Sequence, residues 1–248
     1  MDFKAENNIV VVQETDSTNN YANRQLAETE VLEGTVFLAY NQKSGRGQLN
    51  NRWESEAGKN LTFSIVLKPY FLEIQSQFMI SKVVTLGIYS VLRSTVSGLK
   101  IKWPNDIYAG DKKLGGILIE NSIMSGCITN SVIGVGLNIN QEKFISDAPN
   151  PVSLKQLTGL EYEIVPLCDQ IVSEILFYYE KLKKRKWKKI NQLFQEKMYR
   201  LGEEHRYKSG GERFTGRIIG VNAIGQLMIL DEKDNVRQFH FKEVEFIV

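Results

Sequence analysis

Cysteine is scarce in this chain of 248 residues: Cys127 and Cys168 are the only two, far apart and without metal-ligand neighbours. That excludes a disulfide framework and a thiolate metal centre, and it fits a reducing cytosol. Histidine is as rare. His205 and His240 stand well apart with no cysteine or carboxylate constellation around them, so neither is assigned to a metal or a catalytic dyad. No run of about 18 apolar residues exists, and Met1–Glu6 lacks the apolar core of a secretory leader. A cytoplasmic protein with no membrane partner is expected. Neither sign of charge dominates: 31 Lys and Arg face 29 Asp and Glu, a net charge of +2. Nothing global therefore points to nucleic acid. No serine lies in a nucleophile-elbow pattern, which disfavours covalent serine catalysis. Repeats, low-complexity segments and flexible linkers are also missing.

What is present describes a soluble globular protein, 42% hydrophobic and 24% charged. The length allows one large domain, or one large and one small. Ile9–Gln13 reads as a buried strand, followed by a polar cluster, Thr15–Asn19, that can cap a helix running to about Glu28. Thr35–Asn41 and Leu61–Leu67 read as strands, and Ile74–Ser97 as an amphipathic helix with Phe78, Val83, Leu86, Val91 and Leu92 toward a sheet. Further strands are expected around Lys102, over Lys113–Asn121 and over Ile128–Asn138. Pro166 sits where a first helical turn tolerates it, opening a helical stretch to about Tyr199 with a break near Lys186. Beyond His205 the texture turns to short alternating strands: Arg213–Val221, Gln226–Asp231, Val236–Phe241 and Val244–Val248. The expectation is an α+β fold, residues 1–204, with a small all-β barrel over 205–248.

The most informative stretch is residues 99–121. A strand with Lys102 and Trp103 is cut by Pro104 into a polar corner, Asn105–Asp106, and Lys113 then opens a strand that soon reaches Gly115 and Gly116. A cation, a carboxylate and an amide thus stand beside backbone bare enough for close approach of a ligand. This combination suits an anion. A second candidate is the loop Gln42–Trp53, with Gly45-Arg46-Gly47 inside it. Such a loop is either plain surface or a flap in which Arg46 gives bidentate hydrogen bonds to phosphate or carboxylate. Trp53 fits both a stacking face for a nucleobase and a core residue under the loop. Ser17-Thr18-Asn19 is a helix cap whose hydroxyls can also face a pocket. Asn138, at the end of Gly134-Val135-Gly136-Leu137-Asn138, either closes a strand or reads a nucleotide. The cationic run Lys181–Lys189 reads as a solvated helix face, with an acidic partner as the sharper alternative.

Taken in order, Asp16-Ser17-Thr18-Asn19, Gln42 with Gly45-Arg46-Gly47, Lys102-Trp103-Pro104-Asn105-Asp106, Lys113-Leu114-Gly115-Gly116-Ile117 and Gly134–Asn138 resemble the biotin protein ligases over essentially the whole chain. The resemblance implies a mixed sheet flanked by helices, akin to class II aminoacyl-tRNA synthetases, with an SH3-like tail. It implies ATP-dependent activation of biotin as biotinyl-5'-AMP, with Mg²⁺, and transfer to a lysine of a biotin carboxyl carrier protein domain. Ser17, Thr18 and Gln42 would then surround the head of biotin, with Asn19, Gly45 and Gly47 beside them, and Gly115 and Gly116 would let main chain line the pocket. Arg46 and Lys113 would be catalytic, holding the carboxylate of biotin and the α-phosphate of ATP. Asp106 would help place the metal. Trp53 would cover adenine, with Gln48, Asn105 and Asn138 also on the nucleotide side.

Two departures bear on this expectation. The family loop reads Gly-Arg-Gly-Arg, whereas the fourth position here is Gln48. Weaker loop closure and easier escape of the reactive adenylate are expected from it. The chain also enters its first strand by Ile9, so no winged helix-turn-helix and no operator DNA binding are expected. A homodimer stays open. The nearest rival is a lipoate-protein ligase, which shares the architecture; a non-catalytic nucleotide-binding regulator would lack Lys113 or Asp106, and both are present.

Overall fold

The structure, a computed structural model, describes residues 7–48, 51–145 and 150–247. β1 (Ile9–Thr15) and β2 (Val36–Gln42) pair in parallel because α1 (Thr18–Glu28) carries the chain back over the sheet between them. Every other pairing in this sheet is antiparallel: β3 (Leu61–Leu67), β7 (Cys127–Leu137), β6 (Lys112–Met124), β5 (Asp106–Ala109) and β4 (Leu99–Lys102) follow in that order. All seven residues of β3 are buried, as a central strand covered on both faces requires.

The two faces are covered by different elements. Phe63, Ile65, Ile133 and Val135 point into the main core with α2 (Phe78–Leu92), α4 (Ile164–Lys183) and α5 (Trp187–Glu196). On the opposite face, Phe37, Val66 and Val132 meet Ala22 of α1 in a smaller cluster. Pleat alternation assigns the sides. Helices α2 and α4 cross where Gly87 lies against Ile175; a Cβ there would stand 2.7 Å from the Ile175 nitrogen. Nothing larger than glycine fits that crossing.

The expected helix over 74–97 is shorter. Ile74–Ser76 is a 3₁₀ turn, and α2 ends at Leu92 because Ser94, Thr95 and Ser97 are poor helix formers ahead of Gly98 at φ 66°. The stretch after Glu163 divides into α4 and α5 about Arg185, which takes φ 54°. The sequence reading missed three elements. One is β5; another is α3 (Leu154–Thr158), held by a Ser153–Gln156 capping box. The third is β8 (Glu204–Ser209), in which Tyr207 alone is buried.

β8 belongs to a second, antiparallel sheet with β9 (Glu212–Val221), β10 (Leu227–Asp231), β11 (Val236–Phe239) and β12 (Glu245–Phe246). Its order is β11-β10-β9-β8-β12. Among the described residues its two edges, β11 and β12, do not pair with each other. Tyr207, Phe214 and Ile218 join the main core, and the Trp103 indole donates to the Gly225 carbonyl at 2.9 Å. Among the described residues, no helix is long and apolar enough to cross a membrane.

Candidate active site

The pocket lies on the α1 face, and its floor is defined by residues without side chains. In β6 and β7, Gly116 pairs directly with Gly136, and Leu118 with Gly134. These positions alternate with core residues, so the glycines all open on the same side. Larger residues are excluded by what lies above them. A Cβ on Gly136 would stand 2.5 Å from Trp53 Cε2, and one on Gly134 would stand 2.5 Å from Asn19 Oδ1. The resulting pocket, of about 280 Å³, is lined by α1, the loop after β2, strands β5 to β7 and the end of the second sheet. A neighbouring cleft shares Gln42, Arg46 and Trp53 with it, so the loop lies between the two.

One wall is polar. Ser17 caps α1 by accepting from the Asn20 N–H at 3.3 Å, and the Thr18 N–H donates to Gln42 Oε1 at 2.8 Å. Ser17 therefore uses its oxygen in the cap and keeps its O–H free to donate. Ser17, Thr18, Asn19 and Gln42 all line the pocket. The cap and the pocket wall are the same residues.

Cations line the pocket as well. Lys113 Nζ lies 2.8 Å from Asp106 Oδ1, and both side chains are largely shielded. Lys102 Nζ donates to the Tyr108 hydroxyl at 3.0 Å and lies 5.0 Å above the Phe246 ring. Burial pushes the Lys102 ammonium below its usual range. Arg46 completes the set: it donates to Asn20 Oδ1 at 2.7 Å and to Glu120 Oε1 at 2.8 Å. Lys102, Lys113 and Arg46 thus line one pocket, and Asp106 is the carboxylate among its lining residues. A nearly neutral protein concentrates positive charge here.

The loop that presents Arg46 folds back on itself. Gly47 N–H donates to the Asn51 carbonyl at 2.7 Å and Trp53 N–H to the Gly45 carbonyl at 2.9 Å. Leu49 and Asn50 at its tip lie outside the described residues. Gln48 and Asn105 line the pocket, whereas Gly45 lines the neighbouring cleft, and a Cβ on it would stand 2.5 Å from the Trp53 carbonyl oxygen. Trp53 is partly buried and not a core residue: it roofs Gly136 and lines the pocket.

Two expected contacts fall elsewhere. Gly115 points to the opposite face, where a Cβ would meet the Leu137 side chain at 2.3 Å; of the adjacent glycines only Gly116 opens on the pocket. Pleat alternation is the reason, and it was available in the sequence. Asn138 is buried outside the lining, donating to the Val152 carbonyl at 3.1 Å. Val152 N–H in turn donates to the Lys113 carbonyl at 2.9 Å, so Asn138 fixes the strand segment that presents Lys113. The sequence reading missed Gly134 and Gly136 as floor residues, although their spacing of two signals one face. It also missed Glu120, and Lys242, Val244 and Phe246, which line the pocket from the second sheet. No local signal marks that last group.

A glycine-floored pocket lined by Arg46, Arg52, Lys102, Lys113 and Lys242, on a mixed sheet carrying a second small sheet, defines a class of ligase folds. The family model described as the biotin/lipoate A/B protein ligase family matches residues 11–138; the chain belongs to that family. Biotin protein ligase from Aquifex aeolicus, solved in complex with biotin and ATP, has a TM-score of 0.79 at 27% identity, covering 96% of this chain and 97% of that one. Biotin--[acetyl-CoA-carboxylase] ligase of Paracoccus denitrificans is 27% identical over 223 residues, covering 87% of this chain and 91% of its own length. Bifunctional ligase/repressor BirA of Bacillus spizizenii is 24% identical over 243 residues, covering 95% of this chain and 73% of its own.

Proposed function

We propose that the chain is an ATP-dependent biotin–protein ligase. It joins biotin to AMP as biotinyl-5'-AMP and passes the biotinyl group to a lysine of a biotin carboxyl carrier domain, the kind of acceptor that the Paracoccus relative's name implies. The observation that carries this reading is that Arg46 and Lys113 line one pocket together with Ser17, Thr18 and Gln42.

The chemistry asks for that arrangement. A carboxylate oxygen of biotin attacks the α-phosphorus of ATP, a bond to pyrophosphate breaks, and a mixed anhydride results. Anion approaches polyanion, so the barrier is one of charge and positioning. Arg46 and Lys113 offset the charge that accumulates at the transferring phosphoryl group, and Gly116 lets the ligand approach the main chain. In the second step the acceptor amine attacks the anhydride carbonyl and AMP leaves. The amine must first lose a proton, which neighbouring cations favour by lowering its pKa.

Asp106, with the amide oxygen of Asn105 beside it, offers hard oxygen donors. That is the limited protein contribution typical of Mg²⁺ held chiefly by nucleotide phosphates. Among the described residues no group of three or more His, Cys, Asp or Glu is placed to hold a metal. Mg²⁺ would supply further charge neutralisation at the phosphates.

Ser17, Thr18 and Gln42 favour biotin over lipoate. A ureido ring exchanges hydrogen bonds with them, whereas a dithiolane leaves them partly unpaired, a difference that reaches about 10⁴ in such sites. The test is incubation with ATP, Mg²⁺ and labelled biotin or lipoate, with detection of the adenylate. Biotinyl-AMP is expected. Lipoyl-AMP as the main product would reassign the substrate, and no adenylate from either acid would sink the reading.

A further inference from the structure

Glu120 has no part in the chemistry above, yet it is tied to it. It stands on β6 two residues beyond Leu118, on the strand face that carries Gly116. Its Oε1 accepts from Arg46 Nη2 at 2.8 Å and its Oε2 from Asn19 Nδ2 at 2.8 Å. Asn19 is fixed in turn, because its Oδ1 accepts from the Ser64 hydroxyl at 2.6 Å. Glu120 is therefore held in place from below and presents its second oxygen to the loop arginine. Arg46 is 43% exposed and Glu120 30%.

We propose that Glu120 is a positioning residue whose carboxylate is a rival acceptor for Arg46, exchanged for the anion of the substrate when that binds. The inference rests on the reading of Arg46 as an anion-binding residue. The geometry points to exchange because the guanidinium already donates to Glu120 and Asn20. A carboxylate or phosphate entering the pocket then replaces one carboxylate by another anion, so the arginine is never left uncompensated. Weakening the rival shifts the exchange toward the ligand. The pair is partly solvated, and pairs of that kind are worth a few-fold in an equilibrium.

Glu120→Gln tests this because the amide oxygen still accepts from Asn19 while the charge opposite Arg46 is gone. Calorimetry with ATP as the probe is carried out in four proteins: wild type, Glu120→Gln, Arg46→Ala and the double variant. Glu120→Gln is expected to tighten ATP binding about threefold when Arg46 is present and to leave it unchanged when Arg46 is alanine. Equal tightening in both backgrounds would mean general electrostatics and would overturn the proposal. So would no tightening in either.

Trypsin treatment of the ligand-free protein supplies an independent readout. Cleavage after Arg46 is expected to be about threefold faster in Glu120→Gln, since the carboxylate no longer holds that side chain. An unchanged rate overturns the proposal. If wild type binds no ATP at all, the ligase reading fails and the exchange falls with it; if wild type binds ATP but Glu120→Gln shows no Arg46-dependent tightening, the exchange alone is overturned.

Discussion

At the residue scale, Lys113 is positioned by backbone rather than by its own side chain. Its N–H donates to the Asn150 carbonyl at 2.8 Å and its carbonyl accepts from Val152, while among the described residues Asp106 meets the ammonium. Replacing it by alanine should leave the strand in place and remove one preorganised donor. Lys113→Ala is expected to lower the rate of adenylation on the order of 10²–10³-fold with a near-normal unfolding transition. Rates near wild type would show that Lys113 does not touch the transferring group. Gln48 is a second residue-scale case, since it lines the pocket. Gln48→Arg should retain the adenylate better and reduce diffusive labelling of bystander lysines. Equal labelling by both proteins would show that this position does not govern escape.

Among the elements, strand β7 and helix α2 make the clearest demands. Gly136 permits Trp53 to lie over the sheet, so Gly136→Ala should push the indole out of place. Overpacking of that kind costs about 1–3 kcal/mol, and a KM for ATP raised on the order of tenfold is the expected result of steady-state kinetics. Helix α2 buries Lys82, 3% exposed, against Phe78 and Phe194, with Asn191 Oδ1 at 2.8 Å as its acceptor. Burial lowers its pKa to about 8.

The unfolded chain, with a Lys82 pKa of the ordinary 10.5, then binds more protons between about pH 8 and pH 10.5 than the folded one. The destabilisation by Lys82 is complete below pH 8 and fades as pH rises through that window. Lys82→Met should accordingly be more stable than wild type at pH 7, with an advantage that shrinks toward pH 10.5. Urea denaturation across that range measures it; an advantage that grows with pH would refute the assignment.

For the whole molecule, the decisive contact is between the two sheets. Trp103 follows the strand that carries Lys102, and it lines the pocket. It also donates across to Gly225 and packs against Phe241 with ring centroids 5.4 Å apart. The same junction brings Lys242, Val244 and Phe246 to the pocket. Trp103→Phe keeps an aromatic ring and leaves the Gly225 carbonyl without its donor, which should reduce unfolding stability by about 1 kcal/mol. A chevron or equilibrium urea series checks it. If stability is unchanged, the indole hydrogen bond does not hold the sheets together.

Sequence alone determined the elements whose cause is local. Alternation and apolar runs placed β3, Pro166 pointed to α4, Ser17 announced its own cap, and Gly45-Arg46-Gly47 with Lys113 and Asp106 suggested where an anion would be held. The tertiary structure decided which of those residues meet. Alternation in β6 turned Gly115 away and Gly116 inward, and Asn138 became a support for Lys113. β8, with a single buried residue, had too weak a pattern to be read. Lys242 and Phe246 reach the pocket only because a separate sheet folds onto Trp103. Such contacts join residues more than a hundred positions apart, and local sequence carries no energy term for them; they arise when apolar faces with no other place to be buried find each other.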